Sequence, residues 1–103
     1  MRNMILACSI AISFTACSPK VSLNPGAEAV KVMKSDPSSA CEEVASLDAM
    51  VSGWPGTSSL DPYKNELRNK ALAQGANYVR LDTVLYSEGG TIISVAGTAF
   101  RCP

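Results

Sequence analysis

The chain contains no histidine, few aromatic residues, no excess of either charge and no long apolar run. Each shortage removes a class of function. Without histidine there is no general base of the usual kind and no imidazole to hold a metal. No G-x-S-x-G serine, G-x-x-x-x-G-K loop or C-x-x-C pair occurs, so acyl-transfer, nucleotide and dithiol redox chemistry lack their usual carriers. Nine basic residues stand against nine acidic ones, which gives nucleic acid no basic surface to bind. Glu42 and Glu43 are adjacent carboxylates, but neighbours on a strand point to opposite faces and do not share a site. The expectation is a protein that is not an enzyme, with no cofactor and no metal.

What the chain does have begins at its start. Met1-Arg2-Asn3 is short and positively charged, and Met4 to Phe14 is apolar except for Cys8, Ser9 and Ser13. A membrane-spanning helix needs about 20 apolar residues, so this shorter run reads as the hydrophobic region of a secretory signal. Phe14 occupies a position where an ordinary signal cleavage site carries a small residue. The segment Phe14-Thr15-Ala16-Cys17 instead resembles the lipobox of bacterial lipoproteins, with Phe14 where that motif usually has Leu. A lipobox ending at Cys8, after Ile5-Leu6-Ala7, would leave almost no hydrophobic region ahead of it.

The lipobox resemblance implies lipidation of Cys17 as the mature N-terminus. Three acyl chains would make the attachment effectively permanent, because even two membrane signals suffice for stable anchoring. Ser18, where an Asp would favour inner-membrane retention, implies an outer-membrane protein facing the periplasm. The expected organisation is a signal peptide over 1–16, a lipidated N-terminus and linker over 17–26, and a small periplasmic domain over 27–103. Arg2 leaves with the signal, so the mature part carries eight basic and nine acidic residues.

A domain of this size is near the limit at which an apolar core suffices, and a covalent staple is expected. With Cys8 removed and Cys17 acylated, Cys41 and Cys102 are the remaining thiols. An exported protein meets an oxidising compartment. A structural disulfide between them is therefore expected, the alternatives being free thiols or pairing between molecules.

Ser18 to Gly26, with two prolines and a glycine, reads as linker. The alternation of Val30 and Val32 with Lys31 predicts a strand over Glu28 to Lys34, broken by Asp36-Pro37-Ser38-Ser39. Cys41 to Val51 fits either a strand or a helix. Asp61 and Pro62 are suited to cap and open a helix, and Tyr63, Leu67 and Ala71 share one face of it. Lys64, Arg68 and the Glu66–Lys70 pair read as solvated, and Gly75 is placed to close the helix. Val79, Leu81, Thr83 and Leu85 predict the inward side of a strand, and Thr91 to Arg101 its hairpin partner across Ser87-Glu88-Gly89-Gly90.

Several of these segments together carry a further resemblance. Leu67-Arg68-Asn69-Lys70-Ala71, Gly75-Ala76-Asn77-Tyr78-Val79 and Gly97-Thr98-Ala99-Phe100-Arg101-Cys102, with Asp36-Pro37 and Cys41 upstream, resemble the DUF4156 family of small bacterial lipoproteins of unknown function. The chain is more distantly similar to the Rcs envelope-stress sensor lipoprotein, whose compact α/β domain is disulfide-bonded. This likeness turns the Cys41 segment toward strand. The implied fold is a small α+β domain, β-β-α-β-β, with one helix packed on a mainly antiparallel sheet stapled by one disulfide.

Trp54, in Gly53-Trp54-Pro55-Gly56, is a candidate partner or headgroup surface, although the scarcity of aromatics favours a lid on the core. Two function classes follow. One is a periplasm-facing interaction module with an unknown envelope protein as partner, and the resemblance to the Rcs sensor connects it with envelope stress. The other is a structural lipoprotein with no specific ligand. Beyond the membrane that holds the acyl chains, no partner is written in the residues.

Overall fold

A computed structural model of the chain describes residues 21–50 and 57–103. The expected signal segment, Cys17 and Trp54 lie outside the described residues. A single 3-10 turn, Ala27–Ala29, leads into β1 (Lys31–Met33), β2 (Glu42–Ala49), helix α1 (Asp61–Ala73), β3 (Tyr78–Tyr86) and β4 (Ile92–Arg101). The four strands form one mixed sheet in the order β1-β3-β4-β2. β1 is parallel to β3, while β4 is antiparallel to both β3 and β2. The β-β-α-β-β order is the one expected, and the segment after Cys41 is a strand.

The first strand is shorter than Glu28 to Lys34. Ala27-Glu28-Ala29 is taken by the 3-10 turn, whose closing bond runs from Val30 N–H to Ala27 O at 3.0 Å. The alternation survives in burial, with Val30 and Val32 inside and Lys31 outside.

The helix begins one residue before Pro62. Asp61 is its first residue, and the Asp61 N–H donates to Ser59 Oγ at 3.2 Å. Leu60 holds the cap position without a side-chain capping bond, so the Asp61 carboxylate does not cap the helix as expected. At the other end Gly75 has φ 78°, a left-handed conformation that glycine adopts without steric cost. Gly75 N–H donates to Leu72 O at 3.0 Å and Ala76 N–H to Ala71 O at 2.9 Å, the paired bonds of a Schellman stop.

Tyr63, Leu67 and Ala71 form the buried stripe of α1, as their spacing predicts. They pack on Val32, Ala49, Val79, Leu81, Val95 and Ala99. The Tyr63 hydroxyl donates to Ile92 O at 2.7 Å, which satisfies the polar end of a buried ring. Glu66 and Lys70 pair at 3.2 Å. Arg68, expected to be solvated, instead donates through Nε to Val30 O at 3.0 Å and ties the helix to the start of β1.

Three register shifts decide which side chains face α1, one of them between Leu85 and Tyr86, where Ile93 is the extra residue of β4. In β2, Glu43 opposes Phe100 and Ala45 opposes Ala99, so Val44 is an extra residue and packs against the core together with Leu47. In β3, Leu81 opposes Gly97 and Thr83 opposes Ala96, which makes Asp82 the extra residue. An extra residue reverses the inward parity that follows it. Val84 accordingly faces the core, whereas Thr83 and Leu85, expected inside, are exposed. Gly97 opposite the bulge is required by close approach: a Cβ there would lie 2.8 Å from Arg80 O.

The Cys41–Cys102 disulfide is formed, joining the start of β2 to the end of β4 across 61 residues of chain. Closing such a loop removes about 4 kcal/mol of unfolded-state entropy in the chain-entropy model. Cys102→Ser should accordingly lower Tm by roughly 15–30 °C for a domain of this size, as a thermal melt with and without reductant will show. In the same melt Leu67→Ala should cost about 2–5 kcal/mol, while Leu85→Ala, on the side turned outward by the bulge, should stay within about 0.5 kcal/mol.

Candidate functional site

β1 and β2 are consecutive in the chain yet lie at opposite edges of the sheet. The segment between them has to cross β3 and β4. It does so near Tyr78, Arg80, Thr98 and Phe100, whose side chains alternate with the core residues Val79 and Ala99 and so project from the face opposite α1. Tyr78 Oη donates to Ser35 O at 2.7 Å, and Arg80 Nη1 donates to Asp36 Oδ1 at 2.8 Å. Although no helix covers them, Thr98 and Phe100 are only 6% and 7% exposed.

Arg80 is the centre of this face. Its Nε donates to Asp82 Oδ1 at 2.8 Å, its Nη2 to Thr98 Oγ1 at 3.2 Å, and its guanidinium carbon lies 5.3 Å from the Phe100 ring centroid. Tyr78 meets Phe100 edge-on at 6.2 Å. Thr98 in turn donates its hydroxyl to Asp82 Oδ2 at 2.7 Å, so the bulge residue is bound at both carboxylate oxygens. Neither β1 nor the helix contributes to this network. It joins the crossing segment, the bulge in β3 and the middle of β4.

The electrostatics follow from this geometry. Burial, the largest influence on the Asp82 carboxyl, pushes it up. The Thr98 hydrogen bond, the Arg80 hydrogen bond and the Arg80 charge together outweigh burial and hold the group below its ordinary range. Arg80 is held above its ordinary value, first by the Asp82 hydrogen bond and then by Asp36. Both shifts keep the Arg80–Asp82 pair charged and bonded to each other. The network's chemical role is to fix a chain crossing.

The sheet end that carries the disulfide holds an open cleft of about 300 Å³, lined by Lys31, Pro37, Tyr78, Asn77, the Cys41–Cys102 bond and Pro103. Here Asn77 acts as a substitute strand partner. Its Nδ2 donates to Cys102 O at 2.9 Å and its Oδ1 accepts the Cys102 N–H at 2.8 Å, which docks the C-terminal residues beside the disulfide. Glu42 and Glu43 do not meet: Glu42 pairs with Arg101 at 3.2 Å, whereas Glu43 stands opposite Phe100. Among the described residues no cluster of His, Cys, Asp and Glu could hold a metal, and no helix is long and apolar enough to cross a membrane.

Cys41 and Cys102 are thus brought together as expected, while Cys17 and Trp54 fall outside the described residues. Sequence reading gave no role to Arg80, Asp82 or Thr98, and noted Asn77 only in the stretch Gly75-Ala76-Asn77 of the family resemblance, not as the partner of Cys102. The Arg80-x-Asp82 spacing is a weak signal by itself, because residues two apart on a regular strand already share a face.

A family model described as a domain of unknown function (DUF4156) matches residues 21–102. The chain belongs to the DUF4156 family. The match spans every element of the fold, from the tail before the 3-10 turn to the second disulfide cysteine. No curated protein and no solved structure matches the chain.

The depressed Asp82 carboxyl makes a signed prediction. Asp82 binds its proton more weakly folded than unfolded, so its contribution is complete above the ordinary carboxylate value of about 3.9 and is lost as pH falls through the lower folded value. Asp82→Asn should be less stable than wild type at pH 7, and the difference should shrink below about pH 4, measured by urea denaturation across that range.

Proposed function

We propose that this DUF4156 protein is a lipoprotein of a bacterial envelope, acylated on Cys17 and facing the periplasm from the outer membrane, whose domain is an interaction module and does no covalent chemistry. The observation that carries this reading is Phe14-Thr15-Ala16-Cys17 at the end of a short apolar run behind a charged start. The disulfide supports it, since such bonds form and persist in oxidising compartments and are rare in the cytosol. Ser18 supports the outer membrane in preference to the inner.

The absence of histidine from the chain and the mutual satisfaction of the Arg80 network favour binding over catalysis. The cleft beside the disulfide offers a partner one cation, Lys31, one phenol, Tyr78, and apolar proline faces. The distant resemblance to the Rcs sensor, read from the sequence alone, would connect the chain with envelope stress. That sensor's domain carries four cysteines on a long basic, proline-rich linker, whereas this chain has two cysteines after Cys17 and a short tether.

Cys17→Ala tests the anchor. Metabolic labelling with a fatty acid should be lost, and the protein should move to the soluble periplasmic fraction or remain unprocessed. Label retained by the variant would refute acylation at Cys17.

A further inference from the structure

Two independent features meet at one end of the domain. The first is the place where the tail arrives. Val21 O accepts from Asn65 Nδ2 at 3.0 Å, Ser22 O accepts from Asn69 Nδ2 at 2.8 Å, and the Asn24 N–H donates to Asn69 Oδ1 at 2.8 Å. Asn65 and Asn69 are one helical turn apart and present their amides on the same side. The tail therefore runs alongside α1 in the same direction, with Val21 nearer the start of the helix and Asn24 nearer its end. The helix start lies at the sheet end where β4 begins, because Tyr63 bonds Ile92 O and the Ile92 N–H donates to Thr57 O at 2.9 Å. The disulfide, Asn77 and Pro103 occupy the opposite end.

The second feature is the distribution of exposed apolar side chains. Of the six large ones exposed among the described residues, Met50, Leu85, Tyr86 and Ile93 are between 51% and 64% exposed. All four belong to the end at which the tail arrives. Leu85 pairs with Ser94, Tyr86 with Ile92, and Met50 follows Ala49, the partner of Val95. Leu85 and Tyr86, as strand neighbours, point to opposite faces of the sheet, and Tyr86 shares the side of the core residue Ile92. The group, on β3 and β4 and just past β2, therefore rings the end of the sheet. Singly exposed hydrophobics need no explanation, but such a group marks an end-on contact surface.

We propose that this end is a membrane-contact surface, on which Met50, Leu85, Tyr86 and Ile93 seat in the headgroup region of the leaflet that holds Cys17. The inference rests on acylation at Cys17. With Val21 bound to Asn65, only Ser18, Pro19 and Lys20 remain between the lipid and the docked tail. Four Cα steps reach about 14 Å at most, so the domain stays close to the leaflet. The exposed apolar group selects the helix-start end as the one that faces it, with the disulfide cleft at the end turned away. Tyr86 suits the interface, with an apolar ring and a polar tip. The outer edge of β3 beyond its pairing with β1 keeps its free backbone groups hydrated at headgroup depth, which hydrocarbon would not allow. Glu88 at the hairpin tip favours zwitterionic over anionic lipid.

The test uses the full acylated protein in zwitterionic vesicles that contain a photoactivatable phospholipid, with adducts mapped after illumination. Adducts should fall on Met50 and residues 85–93 severalfold more than on residues 75–78 and 101–103. Combining Leu85→Ser, Tyr86→Ser and Ile93→Ser, all at exposed positions, should abolish the hairpin adducts while the protein still floats with the vesicles. Adducts spread equally over both ends would overturn the proposal. Flotation of wild type without hairpin adducts overturns the contact surface alone, and failure of wild type to float overturns the anchor and the surface together.

Discussion

Two strands that follow one another in the chain sit at opposite edges of the sheet, and the segment joining them has to be held down where it crosses. Most of the specific chemistry of this domain serves that crossing. Its start is fixed by Tyr78 on Ser35 O and by Arg80 on Asp36, and its end by the Cys41–Cys102 bond. Without these ties Phe100 and Thr98 would be uncovered, because α1 shields only the other face. An unpinned crossing would also leave β2 attached to the sheet only through its ladder with β4. The disulfide is effective because it acts at the last strand-to-strand contact of the chain, where fraying would otherwise begin.

Much of this fold is legible in the sequence wherever a local rule governs. Val30 and Val32 show the inward side of β1, Tyr63, Leu67 and Ala71 the stripe of α1, and Gly75 its stop. The two cysteines left after the lipobox reading find each other as expected. What escapes is set by pairing across distance. Period-two alternation places Thr83 and Leu85 inside, and a single unpaired residue, Asp82, turns them out. Nothing local announces that bulge, because its cause is the arrangement of Arg80, Thr98 and Gly97 on neighbouring strands. The binding of the tail by Asn65 and Asn69 is equally hidden, since polar residues on an outer helix face read as solvated until a backbone lies beside them.

The candidate site divides in the same way. Cys41 and Cys102 could be named from compartment and elimination, whereas Asn77, which docks the backbone of Cys102 on both sides, could not. The domain is polarised along its strands. One end carries the tail and the outward apolar side chains, and the other carries the cleft and the disulfide. If Cys17 is acylated as proposed, this arrangement separates the attached end from the end that carries the cleft.

The measurement that bears most directly on this account is the intact mass of the protein extracted from envelopes and alkylated without reduction. The account predicts a mature chain beginning at an acylated Cys17, with Cys41 and Cys102 joined and no alkyl group added. An unprocessed, unacylated chain, or one alkylated at both Cys41 and Cys102, would contradict it.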